Sequence, residues 1–513
     1  MPRNPEGVPT TEPDEMQLQR VSPIQDLPNE ILGHVLLLAC VDVDLVLPPL
    51  RRLVYPPRRH LCPALVLTSV CRLWRVVALS IQEIWTPPIK VDLRAFQSAN
   101  FEDPGQEESK RLADASVAIF DCYYLRSGMA PLPHVEVQGH LRDHMLWRTP
   151  VEGFLRILFS TLSEWRSCTL SGFMAHRVGR LLLPPFPTPE LLERVVISPL
   201  IDHYMDVQVL KTAPRLRSWS GPVLDIFIGH SFPWAQFEEL KAQEFVAMPI
   251  LQSVLPSFQN MVNLQLCVCF RDGQHFQSKG PFVLQCLEEF VLYLDTREVL
   301  ASVLSTLTLP CLRRLTLSGA QVTLPGGRLQ SVGALCLSSW PMSEFEGWLA
   351  RSRCTLDILA LRTIFMPKHA LISLLEQLPS LSEFDFLEGR AWQTETIGDG
   401  PIIDTDLLCR MTVDGVTDAP PLLPHLRRWK IHARMGFGHA ALVRMISSRT
   451  NPYLAHLDIF AEYGLEGMNG PMKAELLSAM GSDATVLFDS TANALRDVDF
   501  AALEASVDMD DEV

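Results

Sequence analysis

The sequence lacks several features that mark particular classes of protein. No apolar run reaches the roughly 18 residues that a membrane-spanning helix needs, and residues 1 to 20 are polar and proline-rich, unlike a secretory signal peptide. Positive charge is also scarce, since 44 Lys and Arg stand against 59 Asp and Glu, a net charge of −15. A general nucleic-acid binder needs a basic face. We therefore expect a cytoplasmic or nuclear protein that binds neither membrane nor nucleic acid.

Motifs that carry known chemistry are missing as well. The chain has no G-x-x-x-x-G-K-[ST] phosphate loop, no G-x-G-x-x-G after a strand and no G-x-S-x-G nucleophile elbow. The zinc-binding spacings Cys-x-x-Cys and H-E-x-x-H do not occur. We therefore predict no enzyme activity, no catalytic residues, no metal and no cofactor.

Some histidines and cysteines have spacings that a metal site would also use. His140 and His144 are four residues apart and would share a helix face, but no third ligand is near, so we favour a bland surface pair. Cys267 and Cys269 would share one face of a strand, and we favour buried core thiols over a redox or metal pair. The twelve cysteines are scattered, and in a reducing compartment we expect them to be free.

Two further groups could contact partners. The tryptophans Trp219 and Trp429 fall at repeat positions described below, where a core role is favoured over stacking on a ligand. Trp392 lies in a polar stretch and is the candidate for an exposed anchor. A basic cluster is interpreted as a solvated loop, with a partner contact as the alternative; it comprises Arg51, Arg52, Arg58 and Arg59.

A pattern of apolar residues, L-x-x-L-x-L, recurs from about residue 130 onward. First positions between 192 and 381 are separated by 20 to 26 residues, within the roughly 20–29-residue period of leucine-rich repeats. Copies at 216 and 237 are degenerate. The remaining copies begin at Leu132, Trp165, Leu192, Met261, Leu287, Leu312, Val332, Leu356, Leu381, Leu426 and Leu454.

The spacing within each copy predicts a strand, because its last two apolar residues are two apart and share one face. Between copies lie segments with helical periodicity, at 297–310, 367–381 and 439–449. Strand and helix in alternation predict a parallel-stranded α/β solenoid in which each unit buries its apolar face against its neighbours. Residues 388–406 are polar and glycine-rich, and we interpret them as a flexible insertion loop, with a binding loop as the alternative.

The N-terminal region is unusually apolar. "LPNEILGHVLLLAC" (27–40) begins with a proline suited to the first helical turn, and "LVLTSVCRLWRVVALSIQEIW" (65–85) repeats its apolar residues with helical spacing. Two such short helices are too small to bury all their apolar surface. We therefore expect a partner to cover part of it.

These two stretches resemble the F-box family. The first supplies Leu-Pro-x-Glu-Ile-Leu, and the second supplies Val-Cys-x-x-Trp with a later tryptophan. The long, proline-rich connection over 41–62 and the continuation at 117–137 are similar to the F-box families of mushroom-forming fungi. Together with the composition and the repeat spacing, this resemblance predicts a disordered N-terminus (1–22), an F-box (24–86), a leucine-rich-repeat-like solenoid (87–460) and a C-terminal cap with an acidic tail (461–513).

Membership of this family would imply a function. The F-box would dock on a Skp-type adaptor and through it on a cullin–RING ubiquitin ligase, while the solenoid would bind an unknown protein substrate. An interaction scaffold without ubiquitination is the alternative, and an enzyme with a divergent site is a weaker one. The implied adaptor-binding residues are Leu27, Pro28, Ile31, Leu32, Val35, Val70, Cys71, Trp74 and Trp85, with an internal packing role as the alternative, above all for Val70 and Trp85.

Overall fold

The structure is a computed structural model, and it describes most of the chain between residues 27 and 489. The predictions made for 1–22, for the arginine cluster, for His140 and His144, for Trp392 and for the acidic tail lie outside the described residues. The described ranges are 27–40, 43–47, 63–96, 105–128, 130–139, 149–173, 187–199, 212–221, 232–269, 281–319, 322–323, 329–330, 335–336, 340–388, 401–413, 420–433, 435–449, 454–461, 476 and 485–489.

One large parallel sheet dominates the described residues. Its strands follow one another in chain order, so each new strand adds to the edge left by the previous one. The main path comprises β1 Leu45–Leu47, β2 Ile89–Asp92, β3 Val135–Gln138, β4 Ser167–Phe173, β5 Arg194–Pro199, β6 Ser218–Gly221, β7 Glu239–Ala247, β8 Asn263–Cys269, β10 Glu289–Leu294, β12 Arg314–Gly319, β16 Ile358–Phe365, β17 Glu383–Glu388, β19 Arg428–Ala433, β21 His456–Ala461 and β22 Thr485–Asp489.

The other described strands are short. They form three small two-stranded pairings and one addition to the main sheet. They are β9 Phe282–Val283 with β11 Leu307–Thr308, β13 Val322–Thr323 with β14 Leu329–Gln330, β18 Ile403–Asp404 with β20 Met435–Gly436, and β15 Leu335–Cys336 on β16.

Eleven α-helices lie in the described part of the chain, and several neighbours along the chain pack together. None of those helices is long and apolar enough to cross a membrane. They are α1 Asn29–Cys40, α2 Pro63–Val70, α3 Arg72–Ser80, α4 Gly105–Arg126, α5 Thr149–Ser160, α6 Met248–Val254, α7 Arg297–Thr306, α8 Met342–Ser352, α9 Lys368–Glu376, α10 Thr405–Met411 and α11 His439–Ser447.

The apolar positions of the repeated pattern stack in register across the sheet. This confirms the predicted α/β fold with parallel strands, and it is compatible with a solenoid. The two degenerate copies belong to this stack, because Trp219 and Leu240 are paired and fully buried. Trp429 lies in the core, as predicted. One buried row runs through Val135, Cys168, Val195, Trp219, Leu240, Leu264, Phe290, Leu315, Leu359, Phe384, Trp429 and Leu457.

One predicted repeat is wrong. The copy beginning at Val332 was expected between the strands of Leu315 and Leu359, but β12 pairs directly with β16 and leaves no place for it. Its described residues, Leu335 and Cys336, instead pair with the far end of β16. The pattern L-x-x-L-x-L is local, whereas a place in the ladder needs hydrogen-bonding partners on both sides.

Two other predictions need correction. Cys267 and Cys269 do share one face of β8, but it is the outer face, opposite the buried Leu264, Leu266 and Val268, so they are half-buried and not core thiols. The segment predicted as a polar insertion loop ends in strand β18 and helix α10. Asp404 caps this helix by accepting a hydrogen bond from the Leu407 amide at 2.9 Å.

Candidate functional site

Helix α1 is apolar on two sides. Leu32, Gly33 and Leu36 are buried, at the i, i+1, i+4 positions that face the protein. Ile31, Val35 and Leu38 lie on the other side at i, i+4, i+7, and their side chains are 49%, 40% and 72% exposed. Glu30 in the first turn favours this helix start through the helix dipole. The helix therefore packs on the protein with one stripe and presents a second apolar stripe to solvent.

The second apolar stretch forms two helices, not the one that its periodicity predicts. Cys71 interrupts it in an extended conformation, and its Sγ accepts a hydrogen bond from the Trp74 amide at 3.5 Å, which caps α3. Arg75 closes the corner, because its Nε donates to the Thr68 carbonyl at 2.8 Å. α2 and α3 pack against each other, and α1 contacts both.

Exposed apolar side chains concentrate on these three helices. Of eleven large hydrophobic residues that are exposed in the described ranges, seven lie between residues 29 and 80. Such a concentration of exposed apolar side chains on three packed helices is typical of an interaction site. We call this set the helical face: Ile31, Val35, Leu38, Val66, Val70, Val76 and Leu79.

The nine residues implied by the F-box resemblance divide between surface and core. Pro28, Ile31, Val35 and Val70 are exposed, and Leu27, Cys71 and Trp74 are half-buried. Leu32 and Trp85 are 0% and 1% exposed, so a direct contact to a partner is corrected to internal packing for these two. The motif did not mark four exposed residues, although their helical spacing was visible in the sequence: Leu38, Val66, Val76 and Leu79.

Trp85 joins the N-terminal helices to the rest of the molecule. Its indole Nε1 donates to the Ala78 carbonyl at 2.9 Å, which ties it to α3. Its ring meets Tyr123 of α4 edge to face at 5.2 Å, and the Arg126 guanidinium lies 4.6 Å from the ring centroid. Trp85 therefore links α3, which carries part of the helical face, to α4.

The linker between the two apolar stretches contributes to the sheet. Its residues Leu45–Leu47 form β1, which pairs in parallel with β2 and starts the sheet. Lys90 of β2 bridges Asp44 at 2.9 Å and Glu136 of β3 at 3.5 Å, and its pKa is raised, chiefly by the hydrogen bond to Asp44. The boundary expected near residue 86 is therefore crossed by strand pairing.

A second candidate site is a groove on the outer face of the sheet, between β8 and β21. It has a volume of about 570 Å³. Small side chains on neighbouring strands, Thr316, Ser318 and Ala360, leave the space, and Tyr293 forms one wall. Burial raises the pKa of the Tyr293 hydroxyl, which therefore remains a neutral hydrogen-bonding group.

Ion pairs between neighbouring strands line this groove. They join Arg314 to Glu289 at 3.2 Å and Arg362 to Asp385 at 3.0 Å. A third joins Arg428 to Glu383 at 3.7 Å, and Lys430 lies in register with Asp458 beside it. The lining therefore carries both signs of charge in equal number, which suits a mixed polar protein segment better than a polyanion.

Metal ligands and thiol reactivity bear on what the two surfaces can do. Among the described residues, no group of three or more His, Cys, Asp or Glu side chains could hold a metal ion. Burial raises the pKa of the Cys267 thiol, beside the groove, to about 12, so this thiol stays protonated and unreactive at neutral pH. The arrangement of both surfaces suits binding.

Comparison with known proteins adds no assignment. No model of a protein family matches the chain, and no curated protein matches it.

Proposed function

We propose that this protein is the substrate-recognition subunit of a Skp–cullin–F-box ubiquitin ligase. Its N-terminal helices are an F-box that docks on a Skp-type adaptor, and its sheet and helices form a leucine-rich-repeat-like solenoid that binds the substrate. The protein carries out no bond chemistry itself. It raises the concentration of the substrate near the ubiquitin-charged enzyme by tethering both.

The single observation that carries this proposal is the helical face. Four exposed apolar residues, Ile31, Val35, Leu38 and Val70, lie in or beside the two motifs that resemble an F-box. A fully solvated helix pair would bear polar side chains at such positions. An adaptor that covers them removes about 25 cal/mol of unfavourable hydration per Å² of apolar area.

The groove is the proposed substrate site. Its balanced ion pairs are half-exposed, so they can exchange partners with a substrate at little cost. Its small floor residues admit the side chains or backbone of an incoming segment. Trp85 and its contacts hold the adaptor-binding helices in a fixed relation to α4, which favours transfer of ubiquitin onto a held substrate.

A pull-down from cell extract tests the proposal. Wild-type protein is expected to bring down a Skp-type adaptor and a cullin. Ile31→Lys with Val35→Lys places two charges on the helical face and should lower affinity for the adaptor by roughly 100-fold or more. Leu125→Lys is the matched control, because Leu125 is 69% exposed on α4, outside the helical face.

The controls decide how the result is interpreted. Circular dichroism of each variant must match wild type, since only folded variants report on binding. If folded wild-type protein brings down neither adaptor nor cullin, the proposal fails. If it brings down the adaptor without a cullin, the protein is instead an interaction scaffold that does not promote ubiquitination.

A further inference from the structure

Two cysteines occupy equivalent positions in neighbouring repeats. The segments 282–294 and 307–319 run side by side with a constant offset, both in the short β9–β11 pairing and in the β10–β12 pairing. Cys286 and Cys311 have this same offset and lie in matching turns between the two paired stretches. The two cysteines therefore occupy aligned backbone positions in neighbouring repeats.

Backbone hydrogen bonds fix this alignment on both sides of the cysteines. Before them, the Leu284 amide donates to the Thr308 carbonyl at 3.0 Å. After them, the Arg314 amide donates to the Glu288 carbonyl at 3.0 Å. With both ends held, the turns that carry the cysteines cannot slip relative to each other.

The burial pattern gives the two side chains the same direction. In the first repeat Leu284 and Leu287 are buried around an exposed Cys286. In the second, a buried leucine likewise stands two residues before and one residue after an exposed Cys311; these are Leu309 and Leu312.

Spacing makes a covalent link feasible. Neighbouring strands lie about 4.7–4.9 Å apart, and the Cα atoms of a disulfide lie about 4.4–6.8 Å apart. We propose that Cys286 and Cys311 form a dithiol site that low-molecular-weight disulfides, such as oxidised glutathione, convert to an intramolecular disulfide.

The reaction is two successive thiol–disulfide exchanges. The thiolate of one cysteine attacks a sulfur of oxidised glutathione, its S–S bond breaks, and one glutathione leaves as thiolate. The thiolate of the second cysteine then attacks the protein-bound sulfur of the mixed disulfide. The Cys286–Cys311 bond forms, the second glutathione leaves, and two electrons have passed from the protein thiols to glutathione.

Three other described cysteines differ from the pair in burial or position. Burial raises the pKa of Cys168 to about 12 and of Cys354 to about 11, so their thiolates are scarce. Cys409 is exposed like the proposed pair, but it lies on α10, away from the matching turns. It can take up one glutathione and cannot resolve it.

The disulfide would enclose one repeat. The closed loop contains β10 and α7, and Cys286 lies three residues before Glu289, whose ion pair with Arg314 lines the groove. Oxidation would therefore lock two neighbouring repeats together at the edge of the groove. This inference does not depend on adaptor binding and stands or falls separately from the proposed function.

Peptide mapping of the full chain tests it. Folded wild-type protein is incubated with oxidised glutathione, free thiols are alkylated, and the digest is analysed by mass spectrometry. We expect a peptide pair joined through Cys286 and Cys311, with two hydrogen atoms lost and no glutathione retained on either. In urea the preference for this pair should disappear, because it depends on the aligned turns.

Variants trap the intermediate. Cys286→Ser and Cys311→Ser should each retain glutathione on the remaining cysteine of the pair, since no second thiol resolves it. Cys409→Ser is the matched control and should give the wild-type cross-link. Stable glutathione on both Cys286 and Cys311 of folded wild-type protein, or no modification of either, would overturn the proposal.

Discussion

At the scale of single residues, Arg449 is a buried arginine that binds several backbone carbonyls. Its side chain is 4% exposed, and its guanidinium donates to the carbonyls of Met411, Leu422 and Leu423 at 2.6 to 2.8 Å. Burial lowers its pKa to about 10, well below the ordinary value for arginine but still above neutral pH. A planar fork with several donors lets one side chain bind the last carbonyl of α10 and the two consecutive carbonyls of Leu422 and Leu423.

Removing this side chain should therefore cost much more than removing an exposed arginine. Arg449→Ala removes the guanidinium from the carbonyls of Met411, Leu422 and Leu423, of which Leu423 keeps a second donor in the Leu426 amide, and should lower the free energy of unfolding by about 3–5 kcal/mol. Arg444→Ala, on the exposed side of α11, should change it by less than about 0.5 kcal/mol. Urea unfolding followed by tryptophan fluorescence measures both, and equal midpoints for the two variants would refute this role.

A second residue-scale prediction concerns pH. His134 is half-buried, with Nδ1 2.8 Å from the Ser167 hydroxyl. Burial lowers the pKa of its imidazole. The charges of Lys90 and Arg194 lower this pKa further, whereas those of Glu136 and Asp44 raise it. The unfolded chain then binds this proton more readily than the folded one. The stabilising effect is present above the unfolded pKa of about 6.5 and is lost as pH falls through the lower folded pKa.

The expected signature is a difference between variants. His134→Asn should remove part of the decrease in urea midpoint between pH 7 and pH 5, because asparagine keeps the hydrogen bond to Ser167 and cannot be protonated. Other titrating groups affect wild type and variant alike. A wild-type midpoint with the same pH dependence as the variant would show that His134 does not contribute.

At the scale of elements, the sequence predicts strands better than helix boundaries. The strands were predictable because each L-x-x-L-x-L places two apolar residues on one face, and burial of that face is what stacks the repeats. The break between α2 and α3 at Cys71 could not be predicted, because a thiol is a weak helix cap and the apolar periodicity continues across it. The false repeat at Val332 has the right local pattern, and only the direct pairing of β12 with β16 excludes it.

The helical face was partly predictable for the same reason. A family motif marks residues without separating those that pack from those that contact a partner, so Leu32 and Trp85 were assigned together with Ile31 and Val35. Only the packing of α1 on α3 decides which stripe is covered. The groove could not be predicted, because its residues become neighbours through the register of distant strands.

Gly33 tests the packing of α1. A Cβ at this position would lie 3.2 Å from Ile81 Cδ1 and 3.9 Å from Val77 Cγ1. Gly33→Ala should be nearly neutral, because the flexible end of Ile81 can yield and alanine gains up to about 1 kcal/mol in helix propensity. Gly33→Leu should push α1 away and cost about 1–3 kcal/mol through overpacking.

Hydrogen exchange of the α1 amides measures this cost locally. Gly33→Leu should expose the amides of 29–40 to faster exchange while those of the distant strand β17 keep their wild-type rates. If the α1 amides of Gly33→Leu exchange at wild-type rates, the α1–α3 contact does not hold the helix. If the proposed adaptor binding occurs, it should fall together with α1 protection, because the helical face depends on that helix.

At the scale of the whole molecule, the sheet is built almost entirely from contacts between neighbours. Within the described ranges, each strand of the main path pairs only with the strand before and the strand after it, apart from the addition of β15 to β16. Stability in such an architecture is a sum of terms for each repeat and terms for each contact between neighbouring repeats. A destabilising substitution in one repeat should therefore affect its neighbours most and distant repeats least.

Leu361→Ala probes this in the middle of the sheet. Leu361 is fully buried between Leu317 and Phe386, so its truncation should cost about 2–5 kcal/mol. Because coupling passes from neighbour to neighbour, hydrogen exchange should accelerate most in β12, β16 and β17 and least in β2–β5. Val283→Ala, at a 49% exposed position, is the control and should leave exchange unchanged. An equal acceleration across all strands would instead mean that the sheet unfolds as one cooperative unit.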